Sequence, residues 1–236
     1  MLFESFNLGS ITLQSRVVMA PMTRSRAINN IPNALMAEYY GQRNSAGLII
    51  TEGTAPSPNA LGYPRIPGAF SPEQTEGWKK VANAVHQGGA KIFMQLMHTG
   101  RVGHPLNLPE GAEVVGTNTT PVEGEMYTDQ EGPKSYPSAR LMTESDIQTV
   151  IQSYVTSAKN AIEAGFDGVE LHGANGYLIE QFLNANVNNL GNSYNGDHQA
   201  RAKFALEVAQ AVINAIGAER RSEERRVGKE CRSRWS

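Results

Sequence analysis

The chain has 236 residues, 40% hydrophobic and 19% charged, with a formal net charge of −2. That is a globular composition, long enough for one large domain, and its charge gives no reason to expect nucleic acid or an anionic membrane as a partner. A mean hydropathy of −0.38 without a long apolar run argues against a membrane span, and the single cysteine, Cys231, supports neither a disulfide framework nor a cysteine metal site. The N-terminus MLFESFNLGS carries Glu4 early and lacks the basic-then-apolar pattern of a signal peptide, so a cytoplasmic protein is expected.

Leu2 to Leu13 alternates apolar and polar residues around Gly9, the pattern of a small hairpin covering one end of a domain. Val17-Val18-Met19-Ala20 reads as a buried strand that stops at Pro21, and Met22 to Arg26 as a polar loop. Pro32 to Arg43 reads as a helix with Pro32 near its start. A second strand, Gly47 to Thr51, ends at Glu52-Gly53-Thr54 and is followed by a Pro/Gly-rich loop, Pro56 to Pro67. Ser71 is placed as N-cap and Pro72 as first helical residue of a helix running to about His86, stopped by Gly88-Gly89. Lys91 to Leu96 is the third strand. From Val102 to Leu141 the sequence is irregular, and a stretch of that length is usually functional or disordered. Thr143 caps the next helix, whose apolar stripe runs through Ile147, Val150, Ile151, Tyr154 and Val155 to Ile162 before Gly165 ends it. A final helix is expected over Ala200 to Ile216.

Between the last two helices lies DGVELHGANGYLIEQF, 167–182. Gly168 to Leu171 reads as a strand ending at His172, Gly173-Ala174 as a tight turn, and Leu178 to Leu183 as a helix. The turn is too short to be loose, so His172, Asn175 and Tyr177 belong near one strand end. Each of these side chains can donate a hydrogen bond to a substrate. A strand-end His is also a common structural residue, Asn and Gly are ordinary turn formers, and Tyr177 could be helix packing; spacing alone leaves these readings open. Alternating strands and helices mean a parallel sheet with covering helices. Polar residues recur at the strand ends (Thr23, Glu52, Gln95, His172), as they do around a (β/α)8 barrel site. A doubly wound sheet alternates too, although no G-x-G-x-x-G follows any strand, so a Rossmann dinucleotide site has no support.

Four segments, VVMAPMTRSRA at 17–27, GLIITEGTAPS at 47–57, FMQLMHTGR at 93–101 and DGVELHGANGYLIEQFL at 167–183, occur in the order found in a known family. The chain resembles the Old Yellow Enzyme family, FMN-dependent NADPH ene-reductases of the N-ethylmaleimide reductase type, over almost everything from Leu2 to Arg220. The resemblance implies a (β/α)8 TIM barrel with FMN across its C-terminal mouth and NADPH as reductant. It implies that Ala20, Pro21, Met22 and Thr23 line the flavin and that the Thr23 hydroxyl bonds the flavin carbonyl next to N5. Gly53 would admit the ring close to backbone and Gln95 would pair with its pyrimidine edge. His172 and Asn175 would cradle the carbonyl or nitro oxygen of a small-molecule substrate, with His172 also at the cofactor, and Tyr177 would be the proton donor. No metal is implied.

Some positions depart from the family. Met97 stands where many members carry Trp, so the pocket roof is expected to differ. Asn188 to Gly196 replaces a common N-x-R-x-D-x-Y-G-G loop. Asn175 in place of a second His favours the branch acting on simple enones and nitroalkenes over reductases of dienoyl thioesters.

The end of the chain is also unusual. A full barrel has eight strands in ~250 residues, and about the first four βα units are recognisable before Arg220. Residues 221–236, RSEERRVGKECRSRWS, have no strand or helix period and resemble the translation of a sequencing-library adapter. They are expected to be a non-native, disordered tail behind an N-terminal barrel part at 1–220. Alternative readings are an inactive fragment that holds no FMN, or another FMN barrel such as a dienoyl-thioester reductase.

Overall fold

The computed structural model describes residues 1–218 and the backbone of Arg221–Glu224. The expected hairpin is β1 (Phe6–Leu8) paired antiparallel with β2 (Ile11–Leu13). Next come β3 (Val18–Met19), α1 (Ala34–Gly41), β4 (Leu48–Ile50), α2 (Pro72–His86) and β5 (Lys91–Leu96). Asn33 caps α1 by accepting from the Met36 amide, so Pro32 precedes the cap and is not the first helical residue. Ser71 caps α2 in a reciprocal box with Gln74, and Pro72 follows it, as expected.

The stretch 102–141 is built, although nothing in its composition places elements there. It contains β6 (Val115–Gly116), a hairpin of β7 (Glu125–Thr128) and β8 (Gly132–Ser135), and β9 (Arg140–Leu141) pairing in parallel with β6. The chain continues through α3 (Glu144–Glu163), β10 (Gly168–His172), α4 (Leu178–Leu183) and α5 (His198–Ile216), the last starting two residues before the expected Ala200 because Asp197 caps it.

β11 (Arg221–Glu224) then pairs in parallel with β10. This corrects the sequence reading of 221–236 as a tail without strand, for its first four residues. Ladder bonds are made by backbone groups and accept side chains that carry no strand period, and β10 offers an edge where α5 hands the chain back. The rest of that stretch, Cys231 included, lies outside the described residues.

The main sheet is five-stranded and parallel, in the order β11-β10-β5-β4-β3. Neighbours in space are neighbours among these strands in sequence. A doubly wound sheet reverses direction at a switch point; this one does not, and it is the winding of a barrel. Successive helices pack side by side, α1 on α2, α2 on α3 and α3 on α5, along the outside.

Strand alternation divides the core. Ile49, Ile92, Met94, Leu96, Val169 and Leu171 face the helices, where Trp78 stacks edge to face on Phe166 and donates to the Gly68 carbonyl at 2.9 Å. The opposite faces of β4 and β5 bring Leu48 and Phe93 together with Leu13 from β2. The hairpin therefore seals the N-terminal end of the strands, and the polar positions are left to the other end.

Candidate active site

β5 and β10 are in register with Phe93 opposite Gly168 and Gln95 opposite Glu170. Gln95 and Glu170 are both buried, and the Gln95 amide donates to Glu170 Oε1 at 2.9 Å. A buried carboxylate needs such a donor, and the bond distinguishes the two ends of the carboxamide.

One step beyond, β10 ends at His172. The Ala174 amide donates to His172 Nδ1 at 3.3 Å, which makes Nδ1 the acceptor and puts the ring proton on Nε2. Asn175 and Gly176 both have left-handed backbone, φ 60° and 75°, a conformation Asn and Gly adopt at little cost. This double reversal brings the Asn175 Nδ2 to 3.5 Å from His172 Nε2. With the tautomer fixed, both atoms are donors lying side by side, and both residues line the same cavity. Tyr177 follows, its ring edge to face with His172 at 4.9 Å.

α4 is anchored to the end of β5. The Leu178 amide donates to the His98 carbonyl at 2.9 Å, and buried Gln181 donates to the carbonyls of Thr99 and Gly176 at 3.0 and 2.8 Å. Glu180 accepts from the Gly176 amide at 2.7 Å. His98 itself is buried, which pushes its pKa down to about 3 and keeps it neutral.

On the other side, Glu52 ties two strand ends together. Its carboxylate accepts from the Arg24 amide at 3.0 Å and from the Tyr40 hydroxyl at 3.3 Å, while its own amide donates to the Tyr40 oxygen at 2.9 Å. Burial raises the Glu52 pKa against the pull of these donors. The loop carrying Ala20 to Thr23 is held over β4 in this way.

These elements enclose a cavity of about 150 Å³ lined by Ala20, Pro21, Thr23, Gly53, Gln95, Met97, His172, Asn175 and Tyr177. Every site residue expected from the sequence lines it except Met22, whose side chain is exposed. Met97 is on the wall, as its position in the motif implied. A Cβ on Gly53 would stand 2.6 Å from the Met97 sulfur, so a larger residue here would push the Met97 side chain aside. The departing segment at 188–196 lies behind α4, where Asn188 donates to the carbonyls of Phe182 and Tyr194 at 2.9 and 2.8 Å.

Sequence reasoning missed Tyr63, Glu170 and Gln181. Tyr63 lies in a Pro/Gly-rich loop without period, yet its hydroxyl oxygen is 2.9 Å from that of Tyr177. Gln181 looked like a polar position on a short helix. Glu170 sits in a continuous buried strand and could have been found by counting alternate residues back from His172.

Residues 1–230 match the profile of the NADH:flavin oxidoreductase / NADH oxidase family. Over 223 residues the chain is 44% identical to "12-oxophytodienoate reductase 7" of Oryza sativa subsp. japonica, an alignment covering 93% of this chain and 56% of the rice protein. The structure of the Old Yellow Enzyme homologue from Zymomonas mobilis superposes with a TM-score of 0.90 at 39% identity, covering 94% of this chain and 62% of that one. Morphinone reductase in complex with tetrahydroNAD gives a TM-score of 0.89 at 41% identity, again over 94% and 62%. The chain thus spans a little over half the length of these relatives. It belongs to the NADH:flavin oxidoreductase / NADH oxidase family, the family of the Old Yellow Enzyme.

Proposed function

We propose that the protein reduces the activated C=C bond of α,β-unsaturated carbonyl or nitro compounds, with FMN as cofactor and NADPH as reductant. The observation that carries this reading is the convergence of two nitrogen donors and a phenol on one cavity, with a carboxamide and a hydroxyl across from them.

The cavity wall suits a flat, polar-edged ring system. Ala20, Pro21 and Gly53 offer backbone and little side chain, Gln95 offers an amide with both donor and acceptor ends, and Thr23 offers a hydroxyl. These residues would hold FMN, which when bound supplies the hydride.

The remaining chemistry belongs to the side chains. Negative charge reaches the substrate oxygen as the β-carbon is reduced. His172 Nε2–H and the Asn175 amide, 3.5 Å apart, can both donate to that oxygen. Donors aimed in this way are worth roughly 3–4 kcal/mol each in favourable cases. Tyr177 then gives its proton to the α-carbon, a general-acid step worth about 10²–10⁴-fold. Asn175 in place of a second imidazole supports compact enones and nitroalkenes as substrates. NADPH as the nicotinamide rests on the family resemblance; the tetrahydroNAD in the morphinone reductase structure makes NADH the reductant to test beside it.

Tyr177→Phe tests the reading. Reduction of cyclohexenone is expected to slow by about 10²-fold or more, while reduction of flavin by the nicotinamide stays near normal. Equal losses in both half-reactions would make Tyr177 a structural residue and end the proposal.

A further inference from the structure

Tyr63 reaches the site from the loop between β4 and α2, more than a hundred positions before Tyr177 (|i−j| = 114), and the two phenol oxygens are 2.9 Å apart. Their rings meet edge to face with centroids 6.2 Å apart. Tyr177 is also held against His172, so it is gripped from two sides. Two apolar clusters close around the pair. Leu61, Ile66 and Met97 form one, and Val102, Val122 and Met126 from the 102–141 excursion form the other. Apolar side chains take the place of solvent on these sides of the contact, and a hydrogen bond in such surroundings is electrostatically stronger than one in solvent.

Tyr63 meets the site through the Tyr177 oxygen, and Tyr177 lines the cavity. We propose that Tyr63 is a positioning residue that makes Tyr177 a stronger acid, by donating its O–H to the Tyr177 oxygen as negative charge collects there. The inference rests on the reading of Tyr177 as proton donor.

The proton count is simple. The Tyr177 O–H bond breaks, its proton goes to the substrate carbon, and the electron pair stays on the Tyr177 oxygen. The Tyr63 O–H bond remains intact. Burial, and then the charge on Tyr177, raise the Tyr63 pKa far above that of an ordinary phenol, so Tyr63 keeps its proton and stabilises the neighbouring anion without relaying charge outward. Water entering the cavity returns the proton to Tyr177. A hydrogen bond to the charged form lowers a pKa, which is the direction a proton donor to carbon requires.

The experiment needs no cofactor. Tyrosine isotope-labelled at the ring carbon bearing oxygen is incorporated into the full chain, and the phenol signals are followed by NMR against pH. In Tyr63→Phe the Tyr177 midpoint is expected to rise by about one to two pH units, the size of a hydrogen bond to a charged oxygen. An unmoved midpoint overturns the proposal. Tyr177→Phe reads the same coupling from the other side and does not depend on the first variant folding. With the Tyr177 oxygen gone, the Tyr63 hydroxyl proton has lost its acceptor, so its NMR signal at neutral pH is expected to move upfield, and an unmoved signal overturns the proposal equally. The proton-donor reading fails separately, by Tyr177→Phe retaining enone reduction, so the two failures are told apart.

Discussion

At the N-terminal end of the strand arc, β4, β5 and β2 bring together Leu48, Phe93 and Leu13 as an apolar plug. Two residues further along β5 and β10 the same faces carry Gln95 and Glu170, and two further along β10 comes His172. The backbone geometry is continuous between the two ends; only the side chains change. The lower end resists being opened, because every atom there gains from contact. The upper end holds a cavity, and Glu180 and Gln181 brace the Gly176 backbone between Asn175 and Tyr177 on its wall. Their titrating anchors also respond to pH in opposite senses. Asp167, just before β10, is partly buried, yet His86, the Ile92 amide and Lys91 outweigh that burial and lower its pKa. Glu52, at the mouth, is raised by burial.

The widest separation between the two ends is expected in stability. Phe93→Ala removes the largest side chain of the plug and should cost about 3–5 kcal/mol in chemical unfolding. Thr23→Ala, on the exposed loop at the mouth, should stay within about 0.5 kcal/mol while weakening FMN binding. Equal losses in the two variants would erase the distinction between a stabilising end and a receiving end.

A smaller effect is expected at Asp167. Asp167→Asn removes one charge from a site with three donors, for a loss of about 1.5–3 kcal/mol near neutral pH. The sign follows from the lowered pKa. The ionised form is favoured by folding, so its contribution is complete above the ordinary aspartate value of 3.8 and disappears as pH falls through the folded value. The variant should lose this acid limb; a stability profile parallel to that of the parent below pH 4 would show that the anchor lies elsewhere.

The lower end was the more legible in the sequence. Short, mostly apolar runs bounded by turn residues, such as Gly47 to Thr51, suit strands buried on both faces, and Ser71-Pro72 and Thr143 place helix starts through side-chain hydrogen bonds to backbone three residues on. In the mouth, Ala20, Pro21, Thr23, Gly53 and Gln95 were legible through the motifs of the family resemblance, and one short segment was legible from local geometry as well. His172, Asn175 and Tyr177 lie within six residues, so strand, turn and helix geometry bring them together. Tyr63 joins them by a tertiary contact that no local pattern encodes. The same holds for β6 to β9, whose pairings are short and whose residues carry no alternation, and for β11, where backbone pairing with β10 overrides a highly charged sequence. Met22 is the one expected site residue whose side chain does not line the cavity: it is exposed, and a motif read along the chain does not say which side chains of a loop turn inward.

The smallest expected effect concerns Glu52 and decides whether the two ends truly differ in sign. Its folded pKa is raised, so folding favours the protonated carboxyl. The contribution to stability is full below the ordinary glutamate value of 4.5 and declines as pH rises through the folded value. Glu52→Gln keeps a carbonyl oxygen to accept from the Arg24 amide or the Tyr40 hydroxyl and removes the buried charge. Near neutral pH the variant is expected to be as stable as the parent or slightly more so, by no more than about 1 kcal/mol, and the decline above pH 4.5 should flatten. Below pH 4.5 the two profiles should converge, because the parent carboxyl is by then neutral as well. A variant that is less stable at neutral pH than at acid pH, by more than the parent is, would mean that the Glu52 charge holds the Ala20–Thr23 loop in place. The mouth would then be braced by an ion as the lower end is, and the contrast in sign between Glu52 and Asp167 would be lost.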